Sequence, residues 1–134
     1  MSVQKVVMAW QGDLRFEGGE LDRPWIPIDG DNAEAPGPML LLLLAVASCS
    51  GSDVLIILKK MRVAVRSLRM EVEGTRRAEE PRRYISLTVV YHIAGDGLNA
   101  SKAERAAALS LEKYCSVVHS LAPDITIASR VVLE

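Results

Sequence analysis

The spacing of apolar and polar residues changes along this chain, and each change marks an element. "VQKVVMAW" at residues 3–10 is rich in β-branched and aromatic side chains and reads as a strand. Gly12-Asp13 turns the chain into "LRFEG", Gly18-Gly19 turns it again, and "PWIPI" reads as a short third strand whose prolines suit an edge or a start. Past the loop "DGDNAEAPGP", a long apolar run opens at Pro38. Proline in the first turn, a Leu- and Ala-rich body and Lys59, Lys60 and Arg62 at the far end predict a helix. Apolar residues surround its first half on nearly all sides, which predicts burial on several faces. Gly51 in its interior predicts a close backbone approach.

The period then drops to two. "SLRMEVEG" sets Leu68, Met70 and Val72 against Arg69, Glu71 and Glu73. "RYISLTVVYHIAG" sets Ile85, Leu87, Val89, Tyr91 and Ile93 against Tyr84, Ser86, Thr88, Val90 and His92. Between them "TRRAEEPR" predicts a polar hairpin tip. "SKAE" at Ser101–Glu104 has the form of a capping box, so a second helix is expected from there. On it Ala103, Ala107, Leu111, Tyr114, Cys115 and Val118 would share one face. After Pro123, "ITIASRVVL" reads as a closing strand. The order β-β-(β)-α-β-β-α-β is that of an α+β fold, and 134 residues without an internal repeat predict a single domain over 1–134.

Composition narrows the functions on offer. A net charge of −1 offers no global attraction to nucleic acid or to an anionic membrane. Arg76-Arg77 and Arg82-Arg83 cluster, but Glu79 and Glu80 lie between them, so the tip reads as a solvated surface. The run 39–58 is long enough to span a bilayer, yet Ser48, Ser50, Gly51, Ser52 and Asp53 occupy its centre. An aspartate there costs about 2.5–3.5 kcal/mol on insertion scales, so no membrane span is expected. "VASC" looks like a lipobox, but the run lies far from the N-terminus behind Asp29, Asp31 and Glu34 instead of basic residues. The start "MSVQKVVMAWQGD" shows no signal-peptide pattern, which makes the cytoplasm the expected location.

The chemistry-bearing residues are few. Cys49 and Cys115 lie one on each predicted helix, and an unpaired cysteine is also a common small core residue. Cys49, His92, Cys115 and His119 lack the close spacing of zinc ligands, so no metal is expected. No G-x-S-x-G turn is present. Asp53 lies one turn after Cys49; facing the sulfur it would oppose a thiolate, so a solvent-facing or lysine-paired Asp53 is expected. His119, one turn past Cys115, suits a helix end, and His92 has no evident partner.

Three segments together carry a resemblance: "GPMLLLLLAVASCSGSDVLIILKKMR", "RRAEEPRRYISLTVVYHI" and "LEKYCSVVHSL". They resemble the osmotically inducible protein C (OsmC) and organic hydroperoxide resistance family, in particular its YhfA-like branch. The resemblance implies antiparallel sheets wrapped around two core helices in an intertwined homodimer. It also implies a peroxidatic role for Cys49 and a resolving role for Cys115, with Met39, Val46 and Asp53 as further binding positions. The implied substrate is a small hydrophobic hydroperoxide, the reductant is a small dithiol or lipoyl-type group, and no cofactor is needed. In the family's peroxidases an arginine held by a glutamate ten residues before the first cysteine activates the thiol. Here that position is Met39, with Arg15 and Arg23 as the available arginines. The departure leaves a second function open, a non-enzymatic or redox-sensing protein that binds a small ligand.

Overall fold

The computed structural model describes residues 1–134. They form two compact units, Met1–Leu42 and Leu43–Glu134.

In the first unit β1 (Val7–Gly12), β2 (Arg15–Gly19) and β3 (Ile26–Asp29) form an antiparallel sheet in the order β1-β2-β3. The β1–β2 turn requires left-handed backbone at two successive residues, Gly12 (φ +110°) and Asp13 (φ 48°). Glycine and aspartate tolerate that region. Asp29 ends β3 almost fully buried, its carboxylate accepting the N–H groups of Asp31 (2.8 Å) and Glu34 (3.0 Å). Those donors, Glu34 first, hold its pKa below the usual value.

Helix α1 (Pro38–Lys60) begins in the first unit and continues through the second. Its end is a Schellman motif: Val63 N–H donates to Leu58 O and Arg62 N–H to Lys59 O, both at 3.0 Å. Arg62 occupies the left-handed position, φ 63°, that glycine usually fills.

In the second unit β4 (Ala64–Arg76) and β5 (Tyr84–Asp96) form the hairpin that the alternation predicts. Their register pairs Leu68 with Ile93, Met70 with Tyr91 and Val72 with Val89. At the tip, Arg76 donates to the Arg82 carbonyl and Arg77 pairs with Glu79, so two of its four arginines are engaged locally. A second helix, α2 (Ala100–Leu109), leads to a π-helical turn (Ser110–Tyr114), a one-turn helix α3 (Ser116–His119) and finally β6 (Thr126–Leu133).

Three sequence expectations change here. β6 pairs with β5 in parallel, so this sheet is mixed, in the order β4-β5-β6. The reason is topological: α2 is a crossover that returns the chain to run alongside β5. The N-cap of α2 is Asn99, whose side chain accepts Lys102 N–H at 2.8 Å, and not Ser101. Finally, α1 buries one stripe, Val46, Ser50, Gly51, Val54 and Leu58, while Leu40, Leu44, Leu55 and Ile56 stay 42–56% exposed. Gly51 does make a close approach, since a Cβ there would sit 2.9 Å from Met70 Sδ on β4.

Candidate functional site

Cys49 and Asp53 are four residues apart on α1 and therefore project from the same face. Cys115 arrives from a different kind of structure. The π-turn closes with Cys115 N–H donating to Ser110 O at 2.7 Å, and the chain then leaves the helical region, with Cys115 at φ −67° and ψ 102°. Cys115 thereby becomes the N-cap of α3, its Sγ accepting the Val118 N–H at 3.5 Å. This break rotates the helix face expected from sequence. Cys115 is fully buried, whereas Tyr114 is half exposed and Leu111 and Val118 are half-buried. π-Turns inside helices are frequent at functional sites.

The result is a compact cluster. The two sulfurs and a carboxylate oxygen of Asp53 all lie within 4.8 Å of one another. Both cysteines are free thiols. The expectation for Asp53 is corrected: it is half-buried and turned toward the sulfurs, where Ser110 Oγ donates to its Oδ2 at 2.9 Å. That hydroxyl, from the π-turn, provides the solvation the carboxylate would otherwise seek in water.

Behind Asp53 runs a buried chain of hydroxyls that the sequence did not reveal. Ser110 Oγ lies 2.7 Å from Ser50 Oγ, and Ser50 Oγ lies 2.7 Å from Tyr91 Oη. Each hydroxyl has one proton to donate. Because Ser110 donates to Asp53, Ser50 must donate to Ser110, and Tyr91 to Ser50. The chain therefore has one direction, ending on the carboxylate. Burial pushes the Tyr91 phenol's pKa up, with Cys115 and Asp53 adding to the effect, so it remains a donor. Ser50 and Ser110 were invisible because serine in an apolar helix reads as a tolerated polar residue. Their only available signal was nearness to the cysteines, Ser50 directly after Cys49 and Ser110 shortly before Cys115.

The buried thiol is held protonated by its surroundings. Burial pushes Cys115 from its ordinary pKa of 9.0 to about 11, and the neighbouring Cys49 and Asp53 push the same way. The Val118 N–H opposes this without reversing it. Of the arginines considered from sequence, Arg15 pairs with Glu34 (3.3 Å) and Arg23 with Glu20 (3.7 Å), all in the first unit.

A cleft of about 400 Å³, lined by Asp53, Ile56, Ile57, Lys60, Leu109 and Tyr114, has Asp53 as its link to the cluster. Met39 lies half-buried in the first turn of α1, and Val46 is fully buried on the stripe that contains Ser50. His119 is exposed at the end of α3. His92 does have a partner: its Nδ1 is 3.1 Å from Glu134, while its Nε2, 3.6 Å from Glu71, makes no hydrogen bond.

Residues 30–130 match the family of OsmC-like proteins. The chain belongs to the OsmC-like family. It is 34% identical over 119 residues to protein YhfA of Escherichia coli, covering 88% of this chain and 89% of that protein. A solved structure of a hypothetical protein from Aquifex aeolicus superposes with a TM-score of 0.86 at 32% identity, covering 100% of this chain and 99% of that one. An organic hydroperoxide resistance protein OsmC from Legionella pneumophila superposes with a TM-score of 0.70 at 17% identity, covering 98% of each chain, a likeness of fold. The OsmC-like α+β architecture expected from the three segments is therefore the one observed.

Although α1 is long and apolar enough to cross a membrane, its middle carries Ser50 and Asp53, hydrogen-bonded to Tyr91 and Ser110.

Proposed function

We propose that this protein is a thiol-dependent peroxidase that reduces small organic hydroperoxides through Cys49 and Cys115. The observation carrying this reading is the approach of the two sulfurs to within 4.8 Å across elements distant in sequence. Cys49, the half-buried and more accessible thiol, attacks the distal peroxide oxygen as a thiolate. The O–O bond breaks, Cys49 becomes a sulfenic acid, and the departing alkoxide takes from water the proton that Cys49 released, leaving as the alcohol. Cys115, kept protonated by burial, then attacks the Cys49 sulfur; the S–O bond breaks and an S–S bond forms. Asp53 accepts the Cys115 proton and delivers it to the departing hydroxide, which leaves as water. A small dithiol or lipoyl-type reductant returns both thiols. The apolar cleft beginning at Asp53 would hold the hydroperoxide's carbon chain.

The whole of residues 1–134 would act as one OsmC-like domain, in a homodimer whose second copy covers Leu40, Leu44, Leu55 and Ile56 on α1. A reducing cytoplasm would keep the thiols free between turnovers.

One equivalent of cumene hydroperoxide added to reduced protein should convert both thiols to a Cys49–Cys115 disulfide, mapped by mass spectrometry. It should do so faster than hydrogen peroxide does, and not at all in Cys49→Ser. Thiols that oxidise no faster than free cysteine would overturn the reading. A second reading, a non-enzymatic or redox-sensing protein binding a small ligand, is favoured by the engagement of Arg15 and Arg23 with Glu34 and Glu20. It predicts the same disulfide, formed slowly and without turnover when a dithiol is supplied.

A further inference from the structure

We propose that the reduced cluster is also a binding site for a thiophilic divalent cation, Zn2+, held by Cys49 Sγ, Cys115 Sγ and an Asp53 carboxylate oxygen, and that forming the disulfide expels the ion. The donor set is that of zinc: two sulfurs and one carboxylate oxygen, three protein ligands with a fourth position for water or a small thiol. Hard cations such as Mg2+ and Ca2+ require more oxygen ligands than are present here.

The geometry is close to what the ion requires. Tetrahedral zinc places thiolate sulfurs about 3.8 Å apart and a sulfur and a carboxylate oxygen about 3.5 Å apart. The three atoms already lie within 4.8 Å of one another, so the ion requires only a modest contraction of the cluster. Cys49 and Asp53 come from one helix face, and Cys115 from the extended residue after the π-turn. Two of the three ligands are also supported from behind. Ser110 holds the Asp53 carboxylate at 2.9 Å with Ser50 and Tyr91 in line, and the Val118 N–H donates to Cys115 Sγ at 3.5 Å. Hydrogen bonds of this kind orient metal ligands and contribute to affinity. Access follows the half-buried Cys49 and Asp53 and the cleft that Asp53 lines.

Binding replaces two thiol protons: Zn2+ and two thiols give a dithiolate complex and two protons in solution. Oxidation reverses it. The two thiolates lose two electrons and join as a disulfide, and an oxidant such as an organic hydroperoxide takes those electrons with two protons to give alcohol and water. Zn2+ leaves unchanged, because sulfurs joined about 2.05 Å apart are no longer thiolate ligands. The site would therefore couple metal occupancy to redox state, independently of how fast peroxide reacts.

The test uses the full chain, freshly reduced. Competition against a chromophoric chelator should show one Zn2+ bound per chain, and Co2+ should give near-ultraviolet thiolate-to-cobalt charge-transfer absorption with tetrahedral visible bands. Cys49→Ser, Cys115→Ser and Asp53→Asn should each weaken binding by about tenfold or more. Diamide, an oxidant that makes the disulfide without any peroxidase step, should prevent binding and release preloaded Zn2+ from the wild-type chain, so the result stands or falls without the variants. Co2+ binding without thiolate charge transfer, or Zn2+ affinity equal in reduced and diamide-oxidised protein, would overturn the proposal. A chain that binds Zn2+ but reduces hydroperoxide no faster than free cysteine would uphold this site and sink the peroxidase reading alone.

Discussion

The two cysteine segments reach the same cluster by opposite routes. Cys49 sits inside an uninterrupted 23-residue helix with an ordinary start, an ordinary end and a half-buried side chain. Cys115 sits where a helix fails: a π-turn, one extended residue and a new helical turn, with the sulfur fully sealed. The regular element presents its thiol, whereas the irregular one withholds its own. A thiol that must meet peroxide first needs access. A thiol that must wait for a sulfenic acid benefits from burial, which keeps it protonated. The break in the second segment also aims Ser110 at Asp53, so one local irregularity places both the second sulfur and the donor that orients the carboxylate.

The contrast is broken most severely at the sulfurs themselves. If Cys49 is the peroxidatic sulfur, Cys49→Ser should lower hydroperoxide consumption by about a hundredfold or more. Cys115→Ser should consume one equivalent and stop, leaving a sulfenic acid trapped by dimedone. Equal loss in both variants, with no trapped adduct, would erase the assigned difference between presenting and withholding thiols.

A smaller effect tests the link between the segments. Ser110→Ala removes the donor to Asp53 and leaves Ser50 and Asp53 short of a partner, so the chain should lose about 1–3 kcal/mol in denaturant unfolding. Tyr91→Phe removes only the terminal donor and should cost about 1 kcal/mol. A Ser110→Ala variant as stable as the wild type would show that the chain of hydroxyls orients nothing.

The pH dependence follows from the withheld thiol. Its folded pKa, about 11, exceeds the ordinary 9.0, so the folded state keeps a proton that the unfolded state releases. The stability tied to Cys115 is therefore complete below pH 9 and declines as pH rises toward 11. Wild-type Tm should fall more steeply across that window than that of Cys115→Ala. Parallel curves would mean that the sulfur is not sealed. The smallest change concerns the regular segment. Arg62→Gly, at the left-handed end of α1, should stabilise the protein by about 0.5–1 kcal/mol, because only the side chain opposes that backbone geometry.

Much of the scaffold was legible because its signals are local. The alternation of Leu68, Met70 and Val72 with charged residues, and of Leu87, Val89, Tyr91 and Ile93 along β5, identified the hairpin. Pro38 and Lys59-Lys60 bounded α1 at its observed ends. Elsewhere two local signals compete. Asn99 and Ser101 can both cap a helix, and the choice depends on which turn packs into place. The segment "LSLEKYCSV" has good helical periodicity, and nothing in it announces a π-turn at Ser110. The direction of β6 is likewise absent from its composition and follows from where α2 delivers the chain.

The sequence by itself determined most of the elements, their order and the two residues that can do thiol chemistry, because periodicity and residue type act within a few positions. Tertiary structure alone decided that Asp53 turns toward the sulfurs, that Ser110, Ser50 and Tyr91 line up behind it, and that Cys49 and Cys115 meet. Those relations depend on a helix crossing a sheet and on one irregular turn. Distances between residues far apart in the chain are fixed by packing, and no local pattern encodes them.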